Sequence, residues 1–156
     1  MGGTDPQARD EFLAAGAAAG RLLASQGITV LYDSSAPGPL AELVAAFQSA
    51  HGMALQVSSE QLGERTDGVF ALPGGRESLE ELLEAGLVDA GAREPAFGLL
   101  NTSDYFSELL KHSGDGVLER FVRETQRGRL IVQRDPGELL VAMGEYRPPE
   151  TRRQQS

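Results

Sequence analysis

The stretch VFALPGGRESLEELLE, from Val69 to Glu84, constrains this chain more than any other, because it must change backbone conformation twice in quick succession. Val69 to Leu72 is a short apolar run that stops at Pro73, which has no N–H to continue a ladder. Gly74 and Gly75 then admit dihedrals closed to residues with side chains. A buried strand therefore ends in a tight turn. Ser78 and Glu81 stand three apart, as in a capping box, and Leu79, Leu82, Leu83, Gly86 and Leu87 follow at helical spacing, so a helix is expected from about Leu79. Its free N–H groups and positive dipole end would lie beside a glycine turn at the carboxyl end of a strand, a geometry that suits a phosphate.

The same two periods alternate along the rest of the chain. Residues 7–26 place Phe12, Ala15, Gly16, Ala19 and Leu23 on one face ahead of Gly27, and predict a first helix. Residues 28–32 are β-branched and apolar and predict a strand, with 33–38 as its exit loop. Pro39 suits a first helical position, Leu40, Leu43, Val44 and Phe47 make the next stripe, Gly52 closes it, and 53–57 predict a second strand. The third strand is 69–72 and the fourth 96–100. Asp104 is expected to cap a helix carrying Tyr105, Phe106, Leu109 and Leu110, broken at Gly114 before Val117, Leu118, Phe121 and Val122 resume the pattern. Residues 130–132 predict a fifth strand, and Asp135, Pro136 and Glu138 start a last helix to about 145. Such alternation predicts a parallel sheet covered by helices, with ligands at the carboxyl ends of the strands.

Composition limits the function classes. The chain has 156 residues, enough for one domain with its own core; residues 1–147 are expected to form it and 148–156 a disordered tail. There is no cysteine, which excludes disulfides and thiolate metal sites, and neither a long apolar run nor a signal-peptide pattern, so no membrane contact and a cytoplasmic location are expected. A formal charge of -9, with a single lysine, Lys111, among 14 basic residues, argues against nucleic-acid binding.

Leu72-Pro73-Gly74-Gly75 followed by Ser78-Leu79-Glu80-Glu81 resembles the PGGxGTxxE signature of the LOG family of lysine-decarboxylase-like proteins. The likeness extends through Glu94-Pro95-Ala96-Phe97-Gly98-Leu99-Leu100-Asn101 and Asp104-Tyr105-Phe106 to Tyr146-Arg147-Pro148-Pro149. The resemblance implies a Rossmann-type phosphoribohydrolase that releases the base from a nucleoside 5'-monophosphate, working as a homodimer and needing no cofactor or metal. It also implies a phosphate and nucleotide site at Gly38, Gly74, Gly75, Arg76 and Ser78, with Glu81 as the catalytic glutamate.

Several positions depart from that pattern. The family's opening strand has no counterpart, and residues 58–68 are too few for the strand and the MxxRK-like helix that normally precede the PGG strand. Loss of two central strands would set the strand at 28–32 beside that at 69–72. Where the family has GGGxxGLMG, this chain reads Asp33-Ser34-Ser35-Ala36-Pro37-Gly38, and in the signature Glu77 replaces a glycine. A carboxylate at either place repels phosphate. The arginine partner of the catalytic glutamate is missing, and Arg65 is the nearest substitute, at a different spacing. Glu81 thus has two readings, a capping-box member or a catalytic carboxylate, and Arg76 is either a phosphate ligand or a solvated turn residue. His51 and His112 have no metal-ligand company, and Arg120, Arg123, Arg127 and Arg129 read as a charged surface.

The sequence therefore predicts an α/β fold: a Rossmann-like three-layer sandwich with a reduced, mainly parallel sheet of about five strands. Its expected role is a catalytically degenerate binding or partner subunit, as a homodimer or in a heteromer with a related subunit. The alternative is an active hydrolase using Glu81 with Arg65 or Arg76.

Overall fold

The computed structural model describes residues 6–32, 38–58, 67–74, 78–88 and 94–147. Helix α1 (Pro6–Ser25) leads into strand β1 (Val30–Tyr32), helix α2 (Pro39–Ser49) and strand β2 (Ala54–Gln56). Strand β3 (Gly68–Ala71) is followed by helix α3 (Leu79–Leu83), which widens into a π turn over Glu84–Val88. Strand β4 (Ala96–Leu100), a 3-10 turn (Thr102–Asp104), α4 (Tyr105–Lys111), α5 (Asp115–Gln126), β5 (Leu130–Gln133) and α6 (Pro136–Glu145) complete the order. No helix among the described residues is long and apolar enough to cross a membrane.

Local chemistry accounts for most of these boundaries. α1 ends in a Schellman motif at Gly27, with Ile28 N–H donating to the Leu23 carbonyl (3.2 Å) and Gly27 N–H to that of Ala24 (3.1 Å). α2 ends the same way one residue earlier than Gly52 suggested: the left-handed residue is His51 (φ 68°), and Gly52 is required for space, since a Cβ there would lie 2.5 Å from the Phe47 ring. The break at Gly114 stands, because that residue is the extended N-cap of α5. Asp104, however, does not cap α4. It is left-handed (φ 59°) and makes no capping bond, and its carboxylate goes to Arg134. Asn101 supplies the bond instead, its Oδ1 accepting from Phe106 N–H at 2.7 Å.

All strand pairs are parallel, as the helical crossovers between them require. β3, β4 and β5 form one sheet with β4 central and buried on both faces. On one face lie α3, the π turn, α4 and α5, which bury Leu79, Leu83, Leu87 and Phe106 against Ala71, Phe97, Leu99 and Leu130. On the other face α1, α2 and α6 close a second cluster of Ala19, Leu23, Leu43, Phe47, Leu100 and Leu139, on which Val30, Ala54, Phe70 and Ile131 also pack. This is the α/β sandwich architecture expected from the alternating pattern.

The five strands do not close into one ladder. β1 pairs with β2 alone, and no ladder joins β1 to β3 among the described residues, so the direct neighbourhood expected from the lost strands is corrected. α1 packs along α2 and also touches α6, so three helices lie side by side above the strands. The two sheets stand as separate ladders among the described residues. They share a core through side chains, not through backbone hydrogen bonds.

Candidate functional site

In the three-stranded sheet the carboxyl ends of β3, β4 and β5 open on one side, and each exit carries polar groups. β3 leaves through buried Pro73 into Gly74, whose φ of 90° is a conformation that side-chain-bearing residues rarely adopt. Space excludes a side chain there as well, because a Cβ would meet the Phe12 ring of α1 at 2.9 Å. Phe12 in turn stands edge-on to Tyr105 with ring centroids 5.2 Å apart, and Tyr105 stands edge-on to Phe106 at 5.0 Å. The start of α1 is thereby laid across the glycine turn.

Ser78 and Glu81 form the capping box expected from their spacing. Glu81 N–H donates to Ser78 Oγ (3.1 Å), and Ser78 N–H donates to Glu81 Oε1 (2.9 Å). Hydrogen bonding to the Ser78 backbone, and then to its hydroxyl, holds the Glu81 carboxyl below the usual carboxylate range, and the side chain is exposed. Glu81 is an anion whose carboxylate takes one of the capping-box bonds, at Oε1; the other is made by its backbone N–H. The α-helical run that follows spans five residues before the π turn.

β4 exits through buried Asn101, whose Nδ2 donates to Ser107 Oγ at 3.0 Å while its Oδ1 caps α4. Two consecutive left-handed residues follow, Ser103 (φ 54°) and Asp104 (φ 59°), a conformation that costs non-glycine residues on the order of 1 kcal/mol each. Long-range bonds hold the turn: Ser103 Oγ donates to Glu11 of α1, and Arg134 donates from Nε (3.0 Å) and Nη2 (2.7 Å) to Asp104 Oδ1. Arg134 stands at the β5 exit, where it lines a shallow depression of about 280 Å³ with Asn101, Val132, Gln133 and Glu138. Asp135 then caps α6 by accepting from Glu138 N–H at 2.9 Å.

Of the residues singled out in the sequence, Gly74, Ser78 and Glu81 stand together at the β3 exit. Gly38 is the N-cap of α2 (φ 145°) at the carboxyl end of β1, in the other sheet. Arg65, Gly75, Arg76 and Glu77 lie outside the described residues. Of the arginine group after β4, Arg120, Arg123 and Arg127 lie on the charged surface as expected, Arg127 paired with Glu94 (2.9 Å) and Glu124 (3.0 Å) and Arg120 with Glu84 (3.3 Å), whereas Arg129 is buried. The sequence reading gave Phe12 only a place on the apolar face of the first helix and Asn101 only a place in the family-like segment, and gave Glu11 and Arg134 no role. Asn101 carried a signal, a lone polar residue closing a wholly apolar strand; the Arg134–Asp104 and Glu11–Ser103 bonds span 30 and 92 residues and carried none. Among the described residues no three His, Asp or Glu side chains gather into a metal-binding group.

The family model described as "possible lysine decarboxylase" matches residues 27–143. Over 89 residues, 56% of this chain and 36% of the relative, the sequence is 35% identical to a probable cytokinin riboside 5'-monophosphate phosphoribohydrolase of Oryza sativa subsp. japonica. Over 89 residues, 56% of this chain and 41% of the relative, it is 34% identical to a cytokinin riboside 5'-monophosphate phosphoribohydrolase of Arabidopsis thaliana. The chain covers about two fifths of the length of these curated relatives.

Proposed function

The chain belongs to the family described as possible lysine decarboxylase, the LOG family, and from that premise we propose that it is a catalytically degenerate member, a binding or partner subunit that keeps the nucleotide crevice without its hydrolysis. One observation carries this reading: the carboxylate of Glu81, which matches the family's catalytic glutamate, accepts through Oε1 from Ser78 N–H and so closes the capping box. Hydrolysis of an N-glycosidic bond adds water across it, giving free base and ribose 5-phosphate. A carboxylate can activate that water only if it is oriented and partnered for the task.

The ligand class is a nucleoside or nucleotide, by likeness to the relatives, and the family likeness supports assembly as a homodimer or with a related subunit that supplies an arginine. Incubation of the purified chain with a panel of nucleoside 5'-monophosphates, including cytokinin riboside 5'-monophosphate, is expected to release no free base above background. Release that disappears in Glu81→Gln would overturn this reading in favour of a working hydrolase. Sedimentation is expected to find more than one subunit per particle, and a monomer at micromolar concentration would remove the homodimer.

A further inference from the structure

We propose that the exposed face of α6 docks a basic amphipathic helix of a partner protein. The inference does not depend on Glu81 or on what the strand-end crevice holds. It concerns an open groove of about 580 Å³ between the last residue of β5, Gln133, and one side of α6. Four of its lining residues, Glu138, Val141, Ala142 and Glu145, fall at i, i+3, i+4 and i+7 on α6 and so form a single helical stripe.

The middle of that stripe is apolar and its two ends are acidic. Val141 is 64% exposed, and Ala142 beside it is small enough to let another chain come close. A lone exposed valine needs no explanation. This one lies between Glu138 and Glu145, which stand about 10 Å apart along the helix axis at roughly 1.5 Å per residue. Among the described residues neither side chain has a hydrogen-bond or ion-pair partner. Asp135, the α6 N-cap, adds a third carboxylate at the Glu138 end. The guanidiniums that flank α6 in sequence are turned to other acceptors, Arg134 to Asp104 and Arg147 to the Gly144 and Tyr146 carbonyls.

That pattern sets the partner's chemistry. Two-fold antiparallel pairing of this face with a second copy would put Glu138 of each chain against Glu145 of the other, acid on acid. Anionic lipid and nucleic acid are repelled for the same reason. A foreign helix laid on α6 at roughly 8–10 Å between axes, with an apolar side chain over Val141 and Ala142 and a basic one a turn away on each side, pairs both carboxylates and covers the valine. Exposed ion pairs contribute little each, so this contact is weak and salt-sensitive.

Fluorescence anisotropy on the full chain tests the inference, with a labelled helical peptide of about 15 residues carrying Arg, Leu and Arg at i, i+3 and i+7. A counterpart with Glu in place of both Arg is the control. The basic peptide is expected to bind at least about tenfold more tightly at about 20 mM salt and to lose most of that advantage at about 0.5 M. Glu145→Lys and Val141→Ser are each expected to weaken it about fivefold with the thermal midpoint kept, since both side chains are exposed. Glu119→Lys, an equal charge change on the exposed side of α5, is expected to weaken it less than about twofold. Equal binding of the two peptides, equal losses from Glu145→Lys and Glu119→Lys, or binding of neither peptide at about 1 mM would overturn the inference. Tighter peptide binding by a chain carrying Arg152→Glu and Arg153→Glu would overturn it in favour of the chain's own C-terminal arginines as occupant. A smaller particle in sedimentation for Val141→Ser would overturn it in favour of a second copy.

Discussion

The two ends of the β3–β4–β5 sheet handle charge in opposite ways. At the amino ends of β4 and β5, Glu94 and Glu124 meet Arg127 and Arg129 in a matched set: Arg127 reaches both carboxylates, and Arg129, buried, donates from Nε to the Pro95 carbonyl (3.2 Å) with Nη1 3.8 Å from Glu94. Tyr146 at the close of α6 donates to the Glu94 carbonyl at 3.0 Å, so the left-handed Glu94 (φ 46°) is anchored through its side chain and its backbone. Among the described residues of the carboxyl ends acids outnumber bases, the side chains are mostly exposed, and the left-handed pair Ser103–Asp104 is kept in place by partners from α1 and the β5 exit. One end spends its charges on holding the fold together. The other keeps an excess of like charge and backbone strain that do nothing for stability, and folds retain such features mainly where a ligand is met.

The largest effect that would break this contrast belongs to the matched end. Arg129→Met removes a buried guanidinium from its carbonyl acceptor and from Glu94, and is expected to cost about 3 kcal/mol. Urea denaturation checks it. A loss below about 1 kcal/mol would mean that Arg127 alone balances Glu94, and that this network is no more structural than the exposed rim. At the opposite end, Asn101→Ala strips the cap from Phe106 N–H and a partner from Ser107, at an expected cost of about 1–2 kcal/mol by the same measurement. That makes Asn101 the structural exception on the ligand side, where the charged rim around it contributes little.

Tyr146 sharpens the comparison through pH. Burial raises its phenol above the ordinary value of 10.0, so the folded chain keeps that proton longer than the unfolded chain does. Its contribution is complete below pH 10.0 and is lost as pH climbs through the higher folded value. Tyr146→Phe is expected to cost about 1 kcal/mol at neutral pH, for the bond to Glu94, and to flatten the alkaline fall in stability. An alkaline limb identical in both proteins would show that the fall comes from other groups.

These differences follow from what a sequence can carry locally. Gly27, the capping pair Ser78 and Glu81, the break at Gly114 and the start of α6 at Asp135 were legible because each depends on residues three or four apart. β4 was legible as an apolar run bounded by polar residues. The capping of α4 was misassigned to Asp104 because a carboxylate one residue before a helix looks like an N-cap, whereas the decisive bond comes from Asn101 across a left-handed turn. The burial of Arg129 was not legible, because Glu94 and the Pro95 carbonyl that meet it arrive from another part of the chain. The split into two sheets shows only in which strands pair, which no strand-by-strand reading contains.

The smallest expected effect is the most discriminating one. Its bonds to Ser78, backbone first, keep Glu81 ionised below its ordinary 4.5, so its contribution is present above pH 4.5 and lost as pH falls through the lower folded value. Glutamine also fits the third position of a capping box, so Glu81→Gln is expected to leave the thermal midpoint at pH 7 unchanged within error and to soften only the loss of stability below pH 4.5. Removing one charge from the acid-rich end should then be nearly silent, because relief of like-charge repulsion offsets the weaker capping bond, while removing one from the matched end is costly. A clear drop in midpoint for Glu81→Gln at pH 7 would mean that the carboxylate is needed for the fold itself. The two ends would then differ in degree alone, and the acidic rim would lose its standing as a feature retained for a ligand.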